Sequence, residues 1–277
     1  MKAILAATDF TKSSINAVNY AAQMAIASGT KLVLIHATHI PIVSDSFFDL
    51  TTTLDELRAI DQEQMNELNN KLKAKYGDQL KLEKQVKIGF TTELIREFAT
   101  KNDIQLVVLG ISHLDQFSQI VFGSTSTHLT GQLNCPILII PEGKKFRPWK
   151  RMAFAFDQKP VSTGTGIRII RDWAKLFDST IHYVNVMDDN FPKKDDKSLS
   201  SVYKLFNETE PRLHFLNPVK GKTTTVIADW VNRHKVGALI MISREHNLLW
   251  RLLKERTTKK MAFETKVPLL IIGEKKQ

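Results

Sequence analysis

Short apolar runs alternate along the chain with longer segments whose apolar residues recur at helical spacing. Residues 2–8 (KAILAAT) suit a buried strand, and residues 13–27 follow with Ile15, Val18, Ala22, Met24 and Ala25 along one helical face. Residues 31–37 (KLVLIHA) predict a second strand. An irregular stretch around Pro41 leads to a long, polar, leucine-spaced helix over 52–76, which Gly77 and Asp78 punctuate. Residues 82–88 alternate apolar and polar, Thr91 or Thr92 is placed to cap a helix running through residue 99, and 104–110 (IQLVVLG) is a continuous apolar strand. A helix from near Ser124 and a strand over 136–140 close the series. Strands separated by helices of this length imply right-handed crossovers and a parallel, doubly wound α/β sheet.

The second half runs through the same order. A strand at 152–157 (MAFAFD) ends on Asp157 as the first ends on Asp9. A helix over 164–177, a strand over 180–186, a strand over 213–219, a helix over 225–234 and strands over 237–243 and 267–273 follow. In this reading GALIMIS matches IQLVVLG, which sets Ser243 against Gly110, and VPLLIIG matches CPILIIP. The expected organisation is two domains, residues 1–142 and 151–277, joined by a linker at 143–150 that carries Gly143, Pro148 and a cluster of charge. Each domain is expected to hold five strands, with the pair meeting about a pseudo-twofold axis through residues 137–140 and 269–272.

Ligands of open parallel sheets sit beyond the carboxyl ends of the strands at the point where strand order reverses. In the first domain those ends are Thr8 and Asp9 after the first strand and the run from Gly110 after the fourth. Gly110 and Gly123, the latter followed by Ser124, Thr125 and Ser126 at the start of a helix, would bring backbone N–H groups against phosphate oxygens without an intervening Cβ. The spacing of Gly110, Gly123 and Ser124, the aspartate of ATDF, the LIHA strand and the NCPILII strand together resemble the universal stress protein family, whose nucleotide-binding members carry G-x2-G-x9-G-[S/T]. The likeness spans nearly the whole chain in two copies.

This resemblance implies an adenine nucleotide alpha hydrolase-like, Rossmann-like fold. It implies that Asp9 and Ala37 contact adenine and ribose, and that Gly110, Gly123, Ser124, Thr125 and Ser126 hold ribose and phosphates. The implied ligand is ATP, AMP or another adenine nucleotide, with or without Mg, and no covalent cofactor. His113 stands where the pattern has its second glycine, so an imidazole that can either donate to a phosphate or block it replaces a close backbone approach. The second copy departs further: Ser243, His246, Arg256 and Thr257 occupy the matching positions, and Lys254, Arg256, Lys259 and Lys260 form a basic run in place of a glycine loop. That copy reads as a degenerate partner retained for packing.

Charge sharpens the contrast between the halves. Residues 1–142 carry 12 basic and 15 acidic side chains, a net −3, whereas residues 143–277 carry 27 and 14, a net +13. A basic second domain suits an anionic partner or a solvated surface. Hydrophobic residues at 43% and charged residues at 25% exclude a disordered or low-complexity chain of the 277 residues. No apolar run is long enough for a membrane span, and the apolar residues before Asp9 are too few for a signal peptide, so a cytoplasmic protein is expected. The one cysteine, Cys135, excludes an intramolecular disulfide and reads as a buried thiol. Eight histidines show a compact pair only at His36 and His39, which does not make a metal site.

The expected function is a stress-response protein that binds an adenine nucleotide or related anion in its first domain and acts as a sensor or signalling module, with no catalytic residue assigned. Two alternatives stand beside it. One is a nucleotide-free scaffold whose basic second domain binds a protein, an acidic lipid or, least favoured, nucleic acid. The other is slow ATP hydrolysis or phosphoryl transfer with His113 near the phosphates. An unidentified protein partner and a homodimer both remain open.

Overall fold

A computed structural model of the chain describes residues 2–39, 50–101, 103–111, 129, 133–156, 165–187, 212–217, 219, 223–243 and 266–273. The elements in order are β1 (Ala3–Ala7), α1 (Lys12–Ser28), β2 (Lys31–Thr38), α2 (Leu50–Tyr76) with a 3-10 turn (Gly77–Gln79), β3 (Leu82–Ile88), α3 (Thr91–Lys101), β4 (Ile104–Ile111) and β5 (Ile137–Pro141). The second half supplies β6 (Arg151–Ala155), α4 (Thr165–Leu176), β7 (Thr180–Val186), β8 (Arg212–Leu216), α5 (Thr223–Arg233), β9 (Ala238–Ser243) and β10 (Leu269–Gly273). The main departure from the expected boundaries is β8, whose last described rung is Met187 N–H to the Leu216 carbonyl at 3.0 Å. Pro218 lies two residues on and has no N–H to extend the ladder. The helix expected from near Ser124 falls outside the described residues except at Leu129, which is helical.

All ten strands form one α/β sheet in the order β3-β2-β1-β4-β5-β10-β9-β6-β7-β8. Pairing is parallel within each half, and the halves join where β5 and β10 run antiparallel, with Leu269 opposite Ile139, Leu270 opposite Leu138 and Ile271 opposite Ile137. The two sets of five strands are therefore hydrogen-bonded edge to edge through the segments expected to meet. The central strands β1 and β5 are apolar and buried at every position, as a sheet covered on both faces requires. The outermost strands β3 and β8 are only partly buried, and Glu83, Lys84, Lys87 and Arg212 blunt these edges.

Small residues let α1 lie close to the sheet, with Ala17, Ala21, Ala22 and Ala25 fully buried. Thr11 caps its start by accepting from Ser14 N–H, and Gly29 ends it in the left-handed conformation at φ 63°. The segment 143–150 is more than a tether. Trp149 is 1% exposed, donates from Nε1 to the Tyr20 hydroxyl of α1 at 2.7 Å, and packs against Trp173 of α4 and against Phe177. Phe146 meets Tyr20 edge-on at 5.2 Å. The charge and proline in this stretch signal a connection, while its two aromatics weld the halves together.

Register also corrects one match made from sequence. Ala6 pairs with Val108 in the first half and Phe154 with Ile240 in the second, so the counterpart of Gly110 is Ile242 and not Ser243. The interval from Ile242 to Pro268 is then 26 positions, the same as from Gly110 to Pro136. Apolar strand runs resemble one another at every offset, so only pairing fixes their register.

Candidate functional site

The strand order places the reversal between β1 and β4, and their carboxyl ends carry Thr8, Asp9 and Gly110. Ala37 lies in β2 beside β1, buried at 3% exposure. The structure thus gathers four of the residues expected at the site along one rim. His113, Gly123, Ser124, Thr125 and Ser126 lie outside the described residues, as do Asp157, His246 and the basic run from Lys254 to Lys260.

The turn from β1 into α1 is a compact web of hydroxyls. Thr8 Oγ1 and Ser14 Oγ lie 3.0 Å apart, and Phe10 N–H donates to Thr8 Oγ1 at 3.0 Å. Asp9 Oδ1 accepts from Thr11 N–H at 3.1 Å and from Thr11 Oγ1 at 2.6 Å. Partial enclosure raises the Asp9 carboxyl, but the Ser14 and Thr11 donors outweigh it and hold the group below its usual value, so it is a carboxylate at neutral pH. Phe10 adopts φ 62°, an uncommon conformation for a bulky residue, and its ring lies 4.5 Å from that of His36.

Gly110 has a structural duty of its own. A Cβ there would fall on the Ser13 carbonyl oxygen and within 2.9 Å of Ser14 Cα, backbone atoms that cannot swing aside. Its lack of a side chain brings the first turn of α1 against the end of β4, which positions Ser13 and Ser14 at the rim.

Behind the rim lies a polar network that sequence reasoning did not single out. His36, 8% exposed, directs Nδ1 to the Thr8 carbonyl at 2.7 Å and Nε2 to Asp61 Oδ2 at 3.1 Å. Thr38 Oγ1 donates to the same Asp61 oxygen at 2.6 Å. Asp61 belongs to α2, where it shares a stripe with the buried Met65, Leu68 and Leu72 at helical spacing. A carboxylate on an otherwise apolar stripe was the available signal.

Residues 1–141 match the Universal stress protein family, just over half of the 277 residues. The chain belongs to the universal stress protein family. Two solved structures are similar over nearly the full length of this universal stress protein. One is a universal stress protein from Archaeoglobus fulgidus DSM 4304, with TM-score 0.69 and 15% identity over 99% of this chain and 96% of that one. The other is a functionally unknown protein from Pseudomonas aeruginosa PAO1, with TM-score 0.53 and 13% identity over 98% and 92%. Such identities show a shared fold. None of the curated proteins matches the sequence.

The second half of this universal stress protein has a different polar cluster. His182 Nδ1 and His214 Nε2 are 3.0 Å apart, the Trp230 ring lies 4.6 Å from His214, and His234 stacks on Trp230 at 4.0 Å. Burial, together with His214, Arg212, Arg151 and His234, pushes His182 down to about 4, and burial and His234 lower His214. Both rings are neutral at pH 7, and His182 Nε2 is buried without a hydrogen-bond partner. Among the described residues no group of three His, Cys, Asp or Glu side chains is arranged to hold a metal ion. Cys135 is buried, and its thiol is pushed up to about 12 by desolvation. Among the described residues no helix is long and apolar enough to cross a membrane.

Proposed function

We propose that this universal stress protein is a stress-response nucleotide-binding protein that takes an adenine nucleotide at the rim formed by β1, β2 and β4 and works as a sensor rather than by chemistry on the ligand. The observation that carries this reading is the Thr8–Asp9–Ser14 web at the N-terminus of α1, located where strand order reverses. A carboxylate beside several hydroxyls suits hydrogen bonding to a ribose, and a helix N-terminus favours phosphate. In this reading residues 1–142 are the ligand-binding domain, 143–150 the connection and 151–277 a second domain of the same kind. Gly110, Gly123, Ser124, Thr125 and Ser126 would hold ribose and phosphates, Asp9 and Ala37 would face base and sugar, and His113 would border the phosphates.

Calorimetric titration of the full chain with ATP, ADP and AMP tests this. A dissociation constant near micromolar, about −8 kcal/mol, is expected for at least one of them, with the binding lost in Gly123→Val and in Asp9→Ala. Absence of binding, or unchanged binding in both variants, overturns the reading. The net +13 of residues 143–277 favours a second role for that half, attraction of an anionic partner. If the nucleotide titrations are silent, salt-dependent binding to anionic vesicles is the measurement that supports the scaffold instead.

A further inference from the structure

The nucleotide reading uses the rim and leaves Asp61 without a role, although its carboxylate is tied to the end of β2 through His36 and Thr38. Thr8 carbonyl oxygen only accepts, so the His36 nitrogen facing it, Nδ1, carries a hydrogen. A neutral ring of that tautomer would turn the lone pair of Nε2 toward Asp61 Oδ2 at 3.1 Å, lone pair against lone pair. The contact becomes a hydrogen bond when the pair holds one further proton. Thr38 Oγ1 donates to that same oxygen at 2.6 Å, short for a hydroxyl donor and characteristic of an ionised acceptor. The geometry is therefore complete with a carboxylate on Asp61 and a hydrogen on both nitrogens of His36.

We propose that Asp61 is a positioning residue for the rim site, acting through His36 to hold the Thr8 carbonyl and thus the turn that carries Asp9. The chain of contacts runs from α2 through Asp61, His36 and Thr8 into the β1–α1 turn, with Phe10 tilted against the imidazole. Few other charges compete for the ring. From α2 it meets Asp61, from the β1 turn the Thr8 carbonyl and Phe10, and in β3 its register partner is Val86. The nearby Lys87 of β3 is engaged by Glu97 of α3 at 2.9 Å, and the Asp9 carboxylate by Thr11. The consequence for affinity rests on the nucleotide reading, whereas the consequence for the turn does not.

Two readouts on the full chain keep those apart. Amide spectra are expected to show Asp61→Asn shifting the signals of Asp9 and Phe10, in the turn reached through His36 and Thr8. Adenine-nucleotide affinity is expected to drop about tenfold in Asp61→Asn, the scale of one charge-assisted hydrogen bond. His36→Asn is the second variant, since Asn185 makes the corresponding carbonyl contact in the other half at 2.8 Å. It is expected to bind with the same lowered affinity. If the wild type binds no nucleotide, the nucleotide reading fails and the spectra alone decide the role of Asp61. Asp9 and Phe10 amide signals unmoved by Asp61→Asn overturn the proposal.

Discussion

At the ends of β1 and β6 the two halves solve one problem with different side chains. Thr8 N–H donates to the Ile35 carbonyl and Phe156 N–H to the Val184 carbonyl, which makes these positions equivalent. The Thr8 carbonyl then receives His36 Nδ1 at 2.7 Å, and the Phe156 carbonyl receives the Asn185 amide at 2.8 Å. Closing the strand exit is thus a requirement of the fold, met by any donor of suitable reach. What belongs to the first half is the remainder: a hydroxyl at Thr8 where the second has Phe156, and Thr38 where register places Met187. These polar groups beyond the structural minimum are the ones the proposed rim site would use.

Glycine placement tells the same story. The first half puts the glycine on the strand, so that Gly110 lets α1 close over β4; the second has Ile242 there. Its close approach comes from the helix side, where a Cβ on Gly166 would meet Ile272 Cγ2 at 2.6 Å. One half therefore brings the backbone of a helix start against the strand end, and the other has a buried aliphatic residue at that strand position.

The largest test of how the halves depend on each other is Trp149→Ala. Removing a fully buried indole that bonds to Tyr20 and packs on Trp173 and Phe177 is expected to cost about 3–5 kcal/mol in denaturant unfolding. It should also split the transition, because the side chain touches both halves. A single transition displaced by under ~1 kcal/mol would show that the β5–β10 ladder carries the union alone.

Acid separates the halves next. His182 has a folded value of about 4 against an ordinary 6.5. Above pH 6.5 neither state binds the proton. As pH falls from 6.5 toward 4 the unfolded chain takes up a proton that the folded chain refuses, so stability declines, and below about 4 the penalty is constant. The loss is on the order of 3 kcal/mol, from about 1.36 kcal/mol per pH unit. Its counterpart by register in the first half is Val33. His182→Val should flatten the decline in unfolding measured from pH 7 to 4, and an unchanged slope would assign the acid response to other groups.

Gly110→Ala should follow, costing about 1–3 kcal/mol as α1 is forced off β4. Gly143→Ala is the comparison, since a Cβ there meets nothing within 4 Å and only its φ of 74° resists. A smaller loss at Gly110 than at Gly143 would mean that the helix start yields easily and that the glycine serves the ligand alone.

Much of this was legible in the sequence because burial on both faces writes strands as continuous apolar runs, and the helices between them carry their own period. The chain positions of Thr8, Asp9 and Gly110 followed from the strand ends, and Ala37 from the family resemblance. Three features were not legible for physical reasons. The offset between Gly110 and Ile242 depends on hydrogen-bond register, which apolar runs do not encode. Trp149 sits among charges and prolines that dominate a compositional reading. The His182–His214–Trp230 cluster joins residues from two strands and a helix that only the crossover brings together.

The smallest expected effect sharpens the comparison most. His36→Asn rebuilds in the first half the side-chain tie of the second, so the Thr8 carbonyl keeps a donor and the strand exit stays closed. What is lost is the Nε2 contact to Asp61 and the ring under Phe10, while Asp61, 20% exposed, keeps Thr38 and gains water. Stability should change by about 1 kcal/mol or less. If the fold needs only the carbonyl tie, the thermal midpoint will barely move while the amide signals of the β1–α1 turn respond, separating what holds the strand from what arranges the rim. A loss of several kcal/mol would instead make the His36–Asp61 contact part of the core, and the difference between the halves would then be one of stability before it is one of ligand.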